Sequence, residues 1–234
     1  MAMRSTLSAG QRMRPVTFLT EDGLQLRGSY WEARAEGAIS LLLIHDQGTD
    51  RSVWDPYVNF FLSRGWSVLT FDLRGHGESL RQEARANLLP PGTPEIGPEA
   101  GWPLDIQAAL AFLARQPKAN PARRAAIGLG LGGDLAYAAA ARGWGTSSTV
   151  CVSPNHERAL GLGGPGAFQP RSIYLLFGAL DPVGADAVLG FAAVAAFPAE
   201  CMAYEGTSIT GIHLWDERQP EIVARSIAWI ERTI

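Results

Sequence analysis

Apolar residues along this chain gather into short continuous runs separated by polar stretches. Runs that stay apolar throughout are typical of strands buried on both faces, as in parallel sheets. We predict strands at residues 39–44, 66–71, 123–129, 147–153, 173–177 and 200–204.

The segments between these runs carry helix signals. Apolar side chains recur at helical spacing between residues 52 and 64, and an Ala-rich segment runs to Arg142. Further helices are predicted at residues 102–115, 185–196 and 221–232. Strand–helix alternation of this kind predicts an α/β fold with three layers and a mostly parallel sheet.

The chain begins differently, with a predicted antiparallel hairpin. Residues 16–20 and 24–31 have strand character, and Asp22-Gly23 is a favoured turn between them. Residues 1–13 are expected to form a flexible tail, and residues 14–234 a single domain. Residues 80–101, rich in proline, are predicted as a long loop or rudimentary lid, and 154–170 as a Gly-rich loop.

Composition limits the classes of function. Of 234 residues, 47% are hydrophobic and 18% charged, with a net charge of −3. These values indicate a globular chain and give no electrostatic case for nucleic acid. We find no membrane-length apolar stretch and no signal peptide, and expect a cytoplasmic protein that does not bind membranes.

The chain has two cysteines, Cys151 and Cys201. Two distant cysteines form neither a disulfide framework nor a metal cluster. Because both lie in apolar, strand-like runs, we expect them to be buried free thiols in a reducing compartment. No metal site and no cofactor is predicted.

A glycine cluster after the strand at 123–129 is the main candidate for a functional site. A strand, a sharp turn and a helix are predicted there, and such a turn favours glycine because the backbone takes positive φ. Gly128, Gly130 and Gly132 fit the nucleophile elbow G-x-S-x-G except at the middle residue. Gly128, Gly130 and Gly133 fit the dinucleotide fingerprint G-x-G-x-x-G.

Dinucleotide binding is an alternative of a different class that the sequence disfavours. The fingerprint belongs in the first βα unit, with an acidic residue about 20 positions on. Here several predicted strands precede the glycines. The next strand ends at Ser153-Pro154-Asn155, and Glu157 comes later than the fingerprint requires.

Polar motifs follow several other predicted strands. They are His45-Asp46-Gln47-Gly48, the Asp72–Ser79 stretch DLRGHGES, Phe177–Pro182 (FGALDP), and a loop with His213 seven residues before Pro220. Open parallel sheets place their functional groups at these carboxyl ends. In this order the motifs resemble an α/β hydrolase, of the small dienelactone-hydrolase-like or esterase-like kind, over residues 14–234.

The resemblance implies a role for each motif. Gly130 takes the place of the serine nucleophile, Asp181 that of the triad acid and His213 that of the triad histidine. Thr210 is a rival for the histidine position, because Thr210-Gly211 stands where some relatives have His-Gly. The backbone N–H groups of Gln47 and Leu131 would form the oxyanion hole.

Other motif residues are expected to be structural. Asp72 and His76 are predicted to hold a turn, and His45 to stabilise its loop. Asp46 stands where the family usually has glycine.

Gly130 is the decisive departure from the family, because glycine has no side chain that histidine could activate. One explanation is a protein that has lost hydrolysis and binds a small ligand. A second is an enzyme on another route, with a water in the space at Gly130 activated by His213 and Asp181. A third is deliberate removal of a native serine. The expected partner is a small-molecule ligand or ester substrate, and a homodimer is left open.

Overall fold

A mostly parallel eight-stranded sheet forms the centre of the protein. In this computed structural model, which describes residues 11–80 and 98–234, the strand order is β1-β2-β4-β3-β5-β6-β7-β8. The first two strands are antiparallel and the others pair in parallel, which confirms the predicted fold class. The strands are β1 (Met13–Leu19), β2 (Gln25–Trp31), β3 (Ala38–Ile44), β4 (Ser67–Phe71), β5 (Ala119–Leu129), β6 (Ser148–Val152), β7 (Arg171–Gly178) and β8 (Ala196–Tyr204).

Helices cover both faces of the sheet and give the three predicted layers. They are α1 (Val58–Leu62), α2 (Pro98–Ala114), α3 (Leu131–Arg142), α4 (His156–Gly163), α5 (Pro182–Val194), α6 (Gly211–Glu217) and α7 (Glu221–Thr233). Alternate residues of β3 point to opposite faces: Leu42 and Ile44 join one core, Leu41 and Leu43 the other. The first core packs against α2, α3, α4 and α5, and the second against α1, α6 and α7.

Three helical segments differ from their predictions. The helix expected over residues 52–64 is a 3₁₀ turn, Arg51–Trp54, followed by α1, because Pro56 lacks the N–H that a continuous helix needs. The predicted Gly-rich loop contains α4, whose first turn is capped by the Asn155 side chain accepting the Arg158 N–H. His213 lies on α6 and not on a loop.

The two cysteines also differ from each other. Cys151 is buried on the central strand β6, whereas Cys201 is exposed, so the prediction of two buried thiols was wrong for Cys201. The reason is that β8 is an edge strand, with a neighbour on one side only. Its run of apolar letters therefore does not imply burial on both faces.

The described residues include only part of the chain's start and of the predicted lid. Residues 1–10, most of the expected tail, and residues 81–97, most of the expected lid, lie outside the described residues. Strand β1 begins at Met13, and the Gln11 side chain donates hydrogen bonds to the carbonyl oxygens of Glu32 and Trp66. Among the described helices, none has the length and apolar character to cross a membrane.

A buried ion network joins the first hairpin to α2. The Arg74 guanidinium donates two hydrogen bonds to Asp22, at 2.8 and 2.9 Å, and one to Asp105 at 2.8 Å. All three side chains are almost fully enclosed. The network ties the hairpin turn, the loop after β4 and α2 together beneath the carboxyl ends of the strands.

Candidate active site

Gly130 forms the turn between β5 and α3. Its φ of 49° and ψ of −114° lie in a region that favours glycine, and the positive φ predicted for this turn is confirmed. The Gly130 N–H donates to the carbonyl oxygen of Val152 at 2.9 Å, and its own carbonyl accepts the Asp134 N–H at 3.0 Å. The turn is thus fixed between β6 and the first turn of α3.

The carboxylate of Asp46 lies over this turn. Its Oδ1 accepts the Gln47 N–H at 2.7 Å and the Leu131 N–H at 2.8 Å. These are the two amides that the family resemblance implies as an oxyanion hole. In this structure they converge on one oxygen of the protein's own side chain.

Two glycines make room for that carboxylate. A Cβ placed on Gly130 would overlap both Asp46 oxygens, and one placed on Gly211 would lie 2.6 Å from Oδ2. One of the three explanations placed a reactive water in the space at Gly130. The Asp46 carboxylate lies where a side chain at residue 130 would stand.

Neighbouring groups hold the backbone of Asp46. The carbonyl oxygen of Asp46 accepts hydrogen bonds from His45 Nδ1 at 2.7 Å and from the Thr49 hydroxyl at 2.8 Å. His45 Nε2 in turn accepts the Leu73 N–H at 3.0 Å. The imidazole is therefore the neutral Nδ1–H tautomer, and burial lowers its pKa.

Asp72 and His76 organise the loop after β4. The buried Asp72 carboxylate accepts the N–H groups of Arg51 and Glu78 at 2.8 and 2.9 Å and pairs with the Arg51 guanidinium. His76 Nε2 accepts the Gly48 N–H at 3.3 Å, which connects this loop to the one that carries Asp46.

Asp181 is buried at the start of α5. One oxygen, Oδ1, accepts the Val183 N–H at 3.1 Å as an N-cap. The other, Oδ2, is buried and has no hydrogen-bond partner in the part of the chain that the structure describes. A carboxylate oxygen in this state has lost the usual compensation for burial.

The two histidine candidates lie at the start of α6. Thr210 is the exposed N-cap residue, and its side chain makes no capping bond. His213 is exposed because α6 turns Leu214 and Trp215 into the core. Among hydrogen bonds of the described residues, none joins His213 to Asp181.

The start of α6 is anchored to the loop after β6. The Gly211 N–H donates to Ser153 Oγ at 3.0 Å, which fixes this segment beside the elbow.

Asp134 lies one turn into α3 and was not predicted as a site residue. It is fully buried, accepts the Asn155 N–H and pairs with the half-exposed Arg158. Burial raises the pKa of Asp134 to about 7. The signal in the sequence was a single charged residue among glycine, alanine and leucine at the start of α3.

Asp46 is the other residue whose role sequence reasoning missed. The two departures from the family pattern, aspartate at 46 and glycine at 130, were each visible. Their contact was not, because positions 46 and 130 are far apart in the chain and meet only in the fold. Two unusual residues in motifs that meet at one sheet edge were the available signal.

The structure offers little to the alternative site types. The glycine cluster follows β5 and not the first strand, unlike a dinucleotide fingerprint. Within residues 11–80 and 98–234, no group of three or more His, Cys, Asp or Glu side chains could hold a metal ion.

Comparison with known proteins agrees with this architecture. The sequence model of the alpha/beta hydrolase family matches residues 41–230. An uncharacterized protein of Mycobacterium tuberculosis, Rv2307c, is 33% identical over 133 residues, covering 56% of this chain and 41% of that protein. The thiohydrolase aneE of Aspergillus aculeatus is 34% identical over 126 residues, covering 53% of this chain and 36% of the enzyme. The chain thus matches less than half the length of these relatives.

Solved structures show the same fold. The Pyrococcus furiosus esterase Pf2001 superposes with a TM-score of 0.72 at 16% identity, covering 95% of this chain and 93% of the esterase. A dienelactone hydrolase of Anabaena variabilis superposes with a TM-score of 0.66 at 18% identity, covering 94% and 96%. At such identities the likeness concerns the fold alone.

Proposed function

This chain belongs to the alpha/beta hydrolase family, and we propose that it resembles a carboxylic-ester hydrolase whose centre is catalytically silent. The observation that carries this proposal is Gly130. It forms the strand–helix turn where the family's nucleophile stands, and it has no side chain.

The size of the loss follows from the chemistry. Acyl transfer on this fold needs a hydroxyl on the turn and a histidine to deprotonate it. Removing such a nucleophile costs on the order of 10⁶ in rate, and binding with an intact oxyanion hole retains roughly 10³ over water. Asp46 already occupies the two amides, so even that remainder is reduced here.

The neighbourhood of Asp181 supports loss of the histidine as well. In a working triad the acid accepts a hydrogen bond from the imidazole. Here Asp181 Oδ2 is buried without a donor among the described residues, and His213 is exposed. We therefore assign the lost histidine to Thr210, next to Gly211, which borders the elbow.

Asp46 also bears on the origin of Gly130. A serine Cβ at residue 130 would overlap the carboxylate where it now lies. A single serine-to-glycine replacement accounts for an absent hydroxyl but not for the aspartate that fills its place. The presence of both Asp46 and Gly130 therefore supports a natural loss of hydrolysis. The remaining role would be binding of a small acyl compound, ester or thioester. The cytoplasmic location and the homodimer stay predictions.

Fluorophosphonate labelling tests the silent centre, with intact-protein mass spectrometry as the readout. The wild-type protein should acquire no adduct, because the turn at residue 130 carries no hydroxyl. Gly130→Ser with Asp46→Ala and Thr210→His should restore nucleophile, hole and base and should gain one adduct on Ser at residue 130. An adduct on the wild-type protein that maps to a residue beside the elbow would overturn the proposal.

The same series separates the two histidine positions. If Gly130→Ser with Asp46→Ala is labelled without the Thr210 change, and His213→Ala abolishes the labelling, then His213 is the triad histidine. If labelling requires Thr210→His and survives His213→Ala, the assignment to Thr210 holds.

A further inference from the structure

The amide pair formed by the N–H groups of Gln47 and Leu131 has an occupant in this structure, the carboxylate of Asp46. We propose that Asp46 is an internal ligand of this pair and closes it to external carboxylates and to the carbonyl oxygens of esters. This deepens the proposed function, since it rests on the same elbow being a former ester-hydrolase centre.

The contact has the features of a built anion site. Both amides donate to one oxygen, at 2.7 and 2.8 Å, which is the usual range for hydrogen bonds to an ionised acceptor. Leu131 is the first residue of α3, a 12-residue helix, so its N–H also carries the positive end of the helix dipole. The pair therefore favours a carboxylate over a neutral carbonyl.

The structure holds Asp46 in this place from several sides. His45 and Thr49 fix its carbonyl oxygen, as described above. Gly130 and Gly211, both at positive φ, leave out the Cβ atoms that would obstruct its oxygens. The occupant is thus positioned by its backbone and needs no rearrangement to bind.

Competition with an outside ligand is unequal for two reasons. A tethered group acts at an effective concentration of at least millimolar order, so a weak external carboxylate does not displace it. In addition, Asp46 Oδ2 lies beside Gly211 and accepts neither of the two amides, which both donate to Oδ1. A second anion brought to the pair would face that negative charge.

The chemical consequence is a change in what the elbow can recognise. In the wild-type protein both N–H groups already have an acceptor, so a ligand whose carbonyl or carboxylate oxygen must accept hydrogen bonds from them finds no free N–H. Any natural ligand at this end of the sheet must bind with Asp46 in place. Shortening residue 46 should expose a site whose ligand class is small carboxylates.

Amide NMR with sodium acetate as the probe tests this directly. In Asp46→Ala, the amide protons of Gln47 and Leu131 should move upfield, since they lose a charged acceptor. Acetate should return both downfield along a saturable curve, binding at least ~10-fold more tightly than to the wild-type protein. The matched control is Asp50→Ala, which removes a carboxylate that caps Ser52 N–H in the same loop and should leave both signals and acetate binding unchanged.

Two results would overturn the inference. One is acetate shifting both amides equally in the wild-type protein and in Asp46→Ala. The other is Asp46→Ala leaving both signals in place with no response to acetate. If Asp46→Ala does not fold, Asp46→Asn provides the same test: loss of the charge must move both signals upfield, and unmoved signals refute the contact.

The outcome is independent of hydrolysis. Ester turnover by the wild-type protein with Asp46 still on the amides would overturn the silent centre and leave this inference standing. Acetate binding to the wild-type amides without ester turnover would overturn this inference and leave the silent centre standing.

Discussion

At the scale of single residues, the site is defined by the contact between Asp46 and Gly130. An enzyme of this family places its reactive side chain on the turn and leaves the facing loop small. Here the turn is glycine and the facing loop carries the carboxylate. Gly130 was predictable from the motif, because strand, glycines and helix follow directly in the chain. Asp46 was not, because its role depends on a contact between two distant loops.

Coupling between these two residues can be measured as stability. Gly130→Ala should cost about 1–3 kcal/mol for the positive φ, and it should also displace the Asp46 carboxylate from its two donors. In an Asp46→Ala background the second cost is absent. We expect a coupling free energy of about 0.5–3 kcal/mol in a double-mutant cycle, measured by urea unfolding at neutral pH. Simple additivity of the two changes would show that the residues do not compete for one space.

At the scale of elements, apolar runs predicted β3 to β8, and the turn at Asp22-Gly23 predicted the hairpin of β1 and β2. The predictions that failed concern helices whose bounds depend on one or two residues, such as Pro56 and Asn155. The helix α4 depends on the Asn155 cap and on Asp134 of α3, which accepts the Asn155 N–H and pairs with Arg158. Edge strand β8 shows the opposite error, because topology and not composition leaves Cys201 exposed.

The contact between α3 and α4 predicts a dependence of stability on pH. Burial raises the pKa of Asp134 to about 7, from 3.8 in an unfolded chain. The folded protein therefore binds a proton that the unfolded chain has released. The contribution of this bound proton to the free energy of unfolding is fully present below the unfolded pKa and is lost as pH rises through about 7.

Urea unfolding midpoints should accordingly fall between about pH 5 and pH 8, and Asp134→Asn should reduce this slope. Asp105, whose pKa burial raises to about 6, supplies part of the remainder. Asp186→Asn, at an exposed position on α5, is the control and should keep the full slope. An unchanged slope in Asp134→Asn would contradict this assignment.

The ion network between the first hairpin and α2 predicts a large stability effect. Arg74→Met would leave the buried carboxylates of Asp22 and Asp105 without their shared cation and should cost about 3–5 kcal/mol. Arg64→Met removes an arginine from the exposed pair with Glu231 and should cost no more than about 1 kcal/mol. Equal unfolding midpoints for the two variants would show that the buried network is not what joins these elements.

At the scale of the whole molecule, the alpha/beta hydrolase fold surrounds a centre that we propose is altered. Each face of the sheet carries a cluster of buried hydrophobic residues, and the parallel strands end at one edge. The order of the polar motifs along the chain predicted this architecture, because loops of the family follow its strands in a fixed order. The proposed change at the centre could be recognised only in part. The sequence shows that residue 130 has no hydroxyl, but it does not show that the Asp46 carboxylate lies in that place.

The most direct test of the silent centre is hydrolysis of p-nitrophenyl acetate by the purified wild-type protein at neutral pH. Release of p-nitrophenol should be no faster than with the same concentration of Asp46→Ala or with buffer, and should not saturate with substrate. A saturable turnover number of about 1 s⁻¹ or more, lost on His213→Ala or on Asp46→Ala, would contradict the account.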